Sequence, residues 1–296
     1  MPSPTASKLP RIAILLAAST LLLAYVLAPI LWLVSSSLQT EREITSIPPH
    51  WIPDHPTFQN FSTIFTTGLG LPTPPGTFVP SVAGNLLPAM ANSLLVALAV
   101  VALNLIVAIP AAYALAKIRF RGRNLALYAV LATRVIPDIA LVVPFFLVVR
   151  KLGLLDSLVS LIATYLAVTV PFSVFVLASF FEQIPDDLDR AARVDGCARH
   201  QVLWLVILPL ARPALVAVGL FAFLASWNEF LLALMFTQTA ASQTLPIVVA
   251  GLTSDFTVSF SFLNAAGVLA VVPPVLLAIV FERYIVSGLT AGAVKG

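Results

Sequence analysis

The chain has 296 residues, of which 59% are hydrophobic and 10% charged, with a net charge of +3 and a mean hydropathy of +1.01. So few charges cannot cover a soluble globule of this length, and the composition predicts an integral membrane protein. Apolar stretches long enough to cross about 30 Å of hydrocarbon occur about six times, which leaves no room for a soluble catalytic domain. The single cysteine, Cys197, excludes an internal disulfide, and no basic stripe typical of nucleic-acid binding is present.

The first apolar run extends from about 12 to 34 and follows a short N-terminal segment, 1–11. It is too long for the apolar region of a secretory signal and lacks a small-residue cleavage pattern, so it predicts a retained span. The next segment, about 35–91, is rich in proline and poor in basic residues. This composition favours an external loop with little regular structure, long enough to contact a partner outside the membrane.

Five more spans complete an all-α domain that occupies 12–296. We place them at about 92–117, 125–149, 158–181, 211–236 and 259–281. Asn92 and Ser93 can cap the first of these five. Twelve Lys and Arg residues fall on the side of the N-terminus and three on the other side, with Arg134 inside a span. Because basic residues near span ends favour the cytoplasm, both termini and the segment 184–209 are predicted to be cytoplasmic.

The segment 184–209 is the only long polar, helix-forming block between the apolar spans. Pro185 cannot extend a helix backwards, Asp186 can cap the helix that follows, and Asp189 completes a weak capping box. Gly196 provides the freedom to leave this helix and begin a second one, from about 198 towards Pro209. The block is therefore predicted to be helix, glycine turn, helix.

Small residues on the first of these helices would let another protein approach its backbone closely. The block resembles the EAA loop of the membrane-spanning subunits of bacterial ABC importers, E-A-A-x-x-x-G followed after nine residues by I-x-L-P. The matching positions are Arg190, Ala191, Ala192, Gly196, Val206, Leu208 and Pro209, and Asp195 also agrees with common forms. Arg190 stands where the family has glutamate, and the neighbouring Asp189 could partly substitute. The resemblance implies a coupling helix that lies in a groove of the ATP-hydrolysing subunit.

Two charged residues lie within the third predicted span. Arg134 and Asp138 are four residues apart, on one helical face if Pro137 does not disrupt the helix. Isolated charges in hydrocarbon cost about 2.5–3.5 kcal/mol each on insertion scales, so these two should be paired or should face water. They could line a substrate path, or they could fix helix packing or lie near the membrane surface.

The fifth predicted span contains the polar segment S-W-N-E-F at 226–230. Trp227 could stack on the apolar face of a sugar ring, and Asn228 and Glu229 could form hydrogen bonds with its hydroxyls. The segment resembles one in the permease subunits of carbohydrate ABC importers. Alternatively, Trp227 is an interfacial anchor and Glu229 contacts a partner subunit.

The C-terminal segment 285–296 is rich in small residues and is predicted to be flexible, without a helix of its own. It resembles the G-L-T-x-G-A-V-K-G ending of one of the two permease subunits in maltose-type systems. That resemblance implies a tail that reaches the ATPase. The residues concerned are Gly288, Leu289, Thr290, Gly292, Lys295 and Gly296.

The sequence also has features of two other classes of protein. Asp186, Asp187 and Asp189 could form a Mg²⁺-binding cluster, as in membrane prenyltransferases that hold a diphosphate. Such an enzyme is expected to carry a second acidic cluster, which the sequence lacks. A stand-alone channel or ion-driven carrier is the other possibility. No Walker-type GxxxxGK[ST] motif occurs, so any ATP hydrolysis would come from a partner.

The sequence thus predicts a six-span, MetI-like permease subunit of a type I ABC importer, resembling the maltose-permease family, in the cytoplasmic (inner) membrane of a bacterium. The predicted cargo is a sugar, disaccharide or oligosaccharide, with glycerol phosphate or a polyol as the alternative. The expected partners are a second, different permease, two ATPase subunits, an extracytoplasmic substrate-binding protein or lipoprotein, and membrane lipids, with no nucleic acid. No catalytic residue, metal or cofactor is predicted in this chain, because ATP and Mg²⁺ would be bound by the ATPase.

Overall fold

The structure is a computed structural model that describes residues 8–73, 79–254 and 258–293. All regular secondary structure in those ranges is helical. The chain divides into two compact units, the first formed by 1–84 and 251–271, the second by 85–250 and 272–296.

The first unit begins with a long apolar helix and continues with short ones. Its helices are α1 (Lys8–Ser37), α2 (Glu41–Ile44), α3 (Gln59–Gly68) and the start of α14 (Phe260–Ala293), with a 3-10 turn at Ala83–Asn85 at the boundary of the units. None of the apolar window of α1 is buried within the described part of the chain.

The segment 35–91 is more regular than predicted. Helix α3 buries Thr63 and Ile64, and the side-chain amide of Asn60 donates hydrogen bonds to the carbonyls of Ser37 and Gln39. The prediction of little regular structure is wrong here, because the many prolines lie outside 59–68. That stretch has the helical spacing of apolar residues.

The second unit is a packed helical core with a polar block at one end. Its helices are α4 (Leu86–Lys117), α5 (Arg123–Ala132), α6 (Asp138–Lys151), α7 (Leu158–Gln183), α8 (Asp186–Val194), α9 (Arg199–Val202), α10 (Leu208–Leu210), α11 (Arg212–Trp227), α12 (Leu231–Phe236) and α13 (Leu245–Gly251), and it also contains the later part of α14. Helices α4, α7 and α11 pack against one another. Leu177, Phe181 and Ile207 are fully buried next to the polar block, whereas Val100, Leu161 and Phe236 are fully buried in a second cluster.

The number of apolar helices agrees with the six predicted spans. Four helical segments are long and apolar enough to cross a membrane: Ile12–Ser37, Ala83–Lys117, Leu158–Gln183 and Phe260–Tyr284. Two further pairs of helices are bent at a short break, and the total reaches six if each pair forms one span. The pairs are Arg123–Val135 with Asp138–Lys151, bent by 96°, and Arg199–Leu210 with Arg212–Trp227, bent by 82°. This count covers the described residues only.

Three spans differ in detail from the prediction. The second begins at Leu86, so Asn92 and Ser93 lie inside it and do not cap it. The third is broken, because Ile136 and Pro137 adopt extended backbone between a 3-10 turn and α6. Proline lacks a backbone N–H and disfavours a helical conformation in the preceding residue, which explains the break. The fifth is also broken, since α11 ends at Trp227 and α12 begins at Leu231.

Candidate functional site

The polar block 184–209 has the predicted helix, glycine turn, helix arrangement. Helix α8 runs from Asp186 to Val194, Gly196 follows with a φ of +89°, and α9 begins at Arg199 and continues through a π-helical turn into α10. No side chain caps the start of α8, so the predicted capping box is wrong. The carboxylate of Asp186 is instead bound to a cation from another helix.

That cation is Lys117, the last residue of α4. Its Nζ lies 2.7 Å from Oδ1 of Asp186 and donates a second hydrogen bond to the carbonyl of Ile184 at 2.5 Å. The lysine side chain is only 3% exposed, which leaves its charge little other solvation. The hydrogen bond from Lys117 and its positive charge lower the pKa of Asp186 below its ordinary range.

A second contact joins the same two helices one turn away. The Tyr113 hydroxyl donates to Oδ1 of Asp189 at 3.2 Å, and Oδ2 of Asp189 lies 3.0 Å from Nη2 of Arg193. The Asp189 side chain is 14% exposed. The Asp189 carboxylate is therefore not free to act in place of the family's glutamate, whose position Arg190 occupies. Arg190 itself pairs with Asp187 of the same helix at 2.7 Å.

The opposite face of α8 is exposed and partly apolar. Val194 is 87% and Leu188 42% exposed, and Ala191 is exposed beside them. The buried side of the block is held by Ala192 and Cys197, which pack against the core. An exposed apolar face on an otherwise charged helix is suited to the groove of a partner protein.

Charged residues at the breaks in the third and fifth spans line one cavity of the second unit. The cavity has a volume of about 340 Å³. Its lining includes Arg134 from the 3-10 turn, Asp138 from the start of α6, Glu229 from the break before α12, and Tyr165 and Thr169 from α7. Pro137 does disrupt the helix, so Arg134 and Asp138 do not lie on one helical face, and the extended Ile136–Pro137 segment separates them.

The charged groups of the cavity have different partners. Nη1 of Arg134 donates to the carbonyl of Val168 at 3.0 Å, and its guanidinium carbon lies 5.7 Å from the ring centroid of Phe172. Glu229 accepts hydrogen bonds from the backbone amides of Leu232 (2.7 Å) and Ala233 (3.0 Å). This carboxylate therefore satisfies the free N–H groups at the start of α12.

The hydroxyl of Tyr165 donates to Oε2 of Glu229 at 2.6 Å, a contact that the sequence did not reveal. Tyr165 lies in an apolar stretch and is 64 residues away in the chain, so no local pattern indicates the pair. Trp227 is 2% exposed and stacks on Phe223, with ring centroids 5.6 Å apart. The predicted stacking of Trp227 on a sugar ring is not available in this conformation, whereas Asn228 is exposed.

A hydrogen-bonded turn lies at the other end of α7 from the polar block. Asp156, with a φ of +59°, accepts hydrogen bonds from the backbone amides of Gln238 (2.8 Å) and Thr239 (3.0 Å). The hydroxyls of Thr239 and Ser242 also donate to it. These bonds, that of Ser242 first, hold the pKa of Asp156 well below its usual range.

The C-terminal segment is helical where it is described. Helix α14 extends to Ala293, so Gly288, Leu289, Thr290 and Gly292 continue an existing helix. The segment forms no separate helix, as predicted, but the prediction of a flexible segment is wrong over these positions. Extending a helix that already exists avoids the cost of nucleation, although each glycine in it costs about 1 kcal/mol relative to alanine. Lys295 and Gly296 lie outside the described residues.

The fold defines an all-helical membrane protein with a polar helical block between its apolar spans. Residues 105–290, more than half of the chain, match the family described as binding-protein-dependent transport system inner membrane component, and the chain belongs to this family. It is therefore a permease component of an ABC transporter in the inner membrane and not an enzyme. It works with a separate ATPase subunit and a substrate-binding protein.

Relatives match nearly the whole chain. A sulfoquinovosyl glycerol transport system permease protein of Agrobacterium fabrum is 37% identical over 279 residues, 94% of this chain and 92% of the relative. A trehalose transport system permease protein of Mycobacterium tuberculosis is 34% identical over 290 residues, 94% of this chain and 95% of the relative. The crystal structure of a bacterial ABC transporter involved in the import of the acidic polysaccharide alginate contains a chain with the same fold, with a TM-score of 0.78 and 23% identity over 96% of this chain and 99% of that chain.

The acidic residues that suggested a metal-dependent enzyme have other partners. Asp186, Asp187 and Asp189 pair with Lys117, Arg190 and Arg193, respectively. Each of these carboxylates therefore has a cation of this chain as its counterion. Their pairing agrees with membership of the permease family.

Proposed function

We propose that this chain is the permease subunit of an ATP-driven importer for a carbohydrate, a neutral sugar, disaccharide or oligosaccharide. The observation that carries the proposal is the similarity, over 94% of the chain, to two permease proteins whose names specify a sugar or a sugar derivative. Glycerol phosphate or a polyol is the alternative cargo. The chain would pair with a second, different permease and with two ATPase subunits that bind ATP and Mg²⁺.

The exposed face of α8 is the proposed contact with the ATPase. Leu188, Ala191 and Val194 provide apolar surface there, and Asp187 and Arg190 provide charge at its edge. The excess of basic residues on the side of the block supports a cytoplasmic position for α8 and for both termini. The tail 285–296 would add a second contact with the ATPase. Closure of the ATPase would push the block and tilt the spans, switching access to the cargo path.

The cavity of about 340 Å³ is the proposed part of the cargo path in this chain. Arg134, Asp138 and the Tyr165–Glu229 pair offer hydrogen-bond donors and acceptors of the kind that hydroxyl groups need. Asn228 lies next to Glu229 in the same helix break. Trp227 would support this region by packing on Phe223.

The test combines co-purification with uptake. Tagged chain, extracted from its native membrane with detergent, should bring down an ATPase and a second permease, and cells should take up labelled trehalose or maltose only when the chain is intact. Val194→Asp should abolish both results, because it places a charge on the proposed docking face. The matched control is Ile47→Asp, a residue 97% exposed in the segment 35–91, which should leave co-purification of the ATPase unchanged.

The cargo-path variant Arg134→Gln should reduce uptake while co-purification remains. Uptake of glycerol phosphate or a polyol, and of no sugar, would replace the carbohydrate assignment with its alternative. A chain that purifies alone and intact would contradict the proposed assembly.

A further inference from the structure

Helix α4 makes polar contacts along its whole length. It contains five polar side chains, those of Asn92, Ser93, Asn104, Tyr113 and Lys117, in an otherwise apolar sequence. Each of the five forms a hydrogen bond with another segment. Polar groups are costly in apolar surroundings unless they are hydrogen-bonded, so these contacts fix the position of α4 relative to its neighbours.

The two contacts with α8 have matched helical spacing. Tyr113 and Lys117 are four residues apart on α4, and their partners Asp189 and Asp186 are three residues apart on α8. Residues at these spacings lie on the same face of a helix, about one turn apart. Two contacts one turn apart resist both sliding and rotation of α8 against α4, which a single contact would not.

The other polar residues of α4 reach α7 and the segment that follows α12. Asn104 donates to Oγ1 of Thr169 at 2.8 Å, and both residues are buried. Near the start of the helix, Asn92 donates to the carbonyls of Ala241 and Gln243, and the hydroxyl of Ser93 accepts from the amide of Leu245 at 2.8 Å. Helix α4 thus connects the polar block with the turn at 241–245.

We propose that Tyr113 and Lys117 are positioning residues that fix α8 to α4, so that a displacement of α8 moves α4 directly and reaches the turn at 241–245. This proposal rests on the proposed function, because it takes α8 as the surface that the ATPase moves. Without the two contacts, α8 would act on the spans only through its chain connections to α7 and α9 and through the apolar packing of Ala192 against the core. The motion of α4 would then lag behind that of α8.

The test measures the distance between two spin labels in this chain. With Cys197→Ser as background, one label is placed at Ala198→Cys in the block and the other at Ile106→Cys on α4. Both positions are exposed and belong neither to the pair of contacts nor to the apolar docking face. Pro110 lies inside α4 between Ile106 and the contact residues Tyr113 and Lys117. An unchanged distance when α8 is displaced would therefore also show that α4 moves as one piece across this proline.

In the purified chain alone, the distance distribution should be narrow, and Lys117→Met or Tyr113→Phe should broaden it. Lys117→Arg should restore a narrow distribution. The matched control is Arg121→Met, an exposed cation of the loop that follows α4, which should leave the distribution narrow. A distribution that stays narrow in both Lys117→Met and Tyr113→Phe would overturn the proposal, whatever the chain binds.

In the complex with its ATPase, trapping with ATP and vanadate should leave the distance unchanged in the otherwise native chain and shift it in Lys117→Met. A shift of the same size in both would show that α4 does not follow α8 and would also overturn the proposal. Failure of an ATPase to co-purify with the native chain counts against the proposed function alone, since the measurements on the isolated chain still decide whether the two residues hold α8.

Discussion

The two ends of the second unit are held together in different ways. At the end that contains 184–209, the block end, charges of opposite sign on different segments pair: Lys117 with Asp186 and Arg123 with Glu182. At the end that contains Asp156 and 236–245, the turn end, the carboxylate of Asp156 accepts hydrogen bonds from backbone amides and from hydroxyls. None of the hydrogen-bond partners described for Asp156 is a cation.

This difference determines how much each end can move. Backbone amides point in fixed directions, so the hydrogen bonds to Asp156 define one geometry of the turn end. The Arg123–Glu182 pair joins two partly exposed side chains, and such pairs tolerate small displacements and weaken with salt, whereas the Lys117 side chain is only 3% exposed and fixes α8 to α4. The block end is therefore built to be displaced as a body, and the turn end to keep its shape.

The largest effect is expected from Gly196→Val at the block end. Gly196 has a φ of +89°, and a Cβ there would meet nothing within 4 Å, so the penalty comes from the backbone alone. A left-handed conformation costs about 1–2 kcal/mol for an ordinary residue and more for a β-branched one. The turn between α8 and α9 should change its path, and co-purification of the ATPase and uptake should be lost while membrane insertion is retained.

Two controls sharpen that prediction. Gly196→Asn should be milder, because asparagine adopts the left-handed conformation more readily. Gly219→Ala should have little effect, because its Cβ would make an ordinary contact of 3.7 Å with Val101 in a helix. Normal uptake by Gly196→Val would contradict the assigned role of the turn.

A smaller effect is expected from Asp156→Asn at the turn end. The pKa of Asp156 is lowered in the folded protein, so its ionised form stabilises the fold. That contribution is complete above the ordinary aspartate pKa of about 3.9 and is lost as the pH falls through the lowered folded-state value. At neutral pH the variant should melt a few degrees below the native chain in detergent, with co-purification of the ATPase unchanged.

The pH dependence provides the check on this second prediction. The difference in melting temperature between the native chain and Asp156→Asn should be constant from pH 6 to 8 and should shrink as the pH falls below about 4. A difference that instead changes between pH 6 and 8 would show that another group, and not the Asp156 carboxylate, stabilises the turn end.

The smallest effect is expected from the Arg123–Glu182 pair of the block end. Its side chains are 32% and 46% exposed. Such pairs contribute about 0.2–1 kcal/mol, and the Debye length falls to about 3 Å in 1 M salt. A double-mutant cycle with Arg123→Gln and Glu182→Gln should therefore show a coupling energy in this range at low salt and almost none in 1 M NaCl. Coupling that is insensitive to salt would remove the contrast with the turn end.

Local sequence was sufficient for the features that depend on neighbouring residues. Hydropathy alone located the apolar helices, because the length of an apolar run must match the bilayer. Pro185 and Gly196 predicted the start of α8 and the turn after it, because each acts on the backbone of its own segment. The EAA-like pattern around Gly196 indicated the family, and the match of residues 105–290 to that family confirmed the membership.

Tertiary structure decided which side chains meet across the chain. The sequence assigned Asp186 a capping role, yet its carboxylate is bound by Lys117, 69 residues earlier. Glu229 and Trp227 also have partners that the sequence did not indicate. Glu229 accepts a hydrogen bond from the hydroxyl of Tyr165 on another helix, and Trp227 is buried against Phe223. Such contacts depend on how helices rotate and where they break when they pack, and a periodic apolar sequence leaves both undetermined.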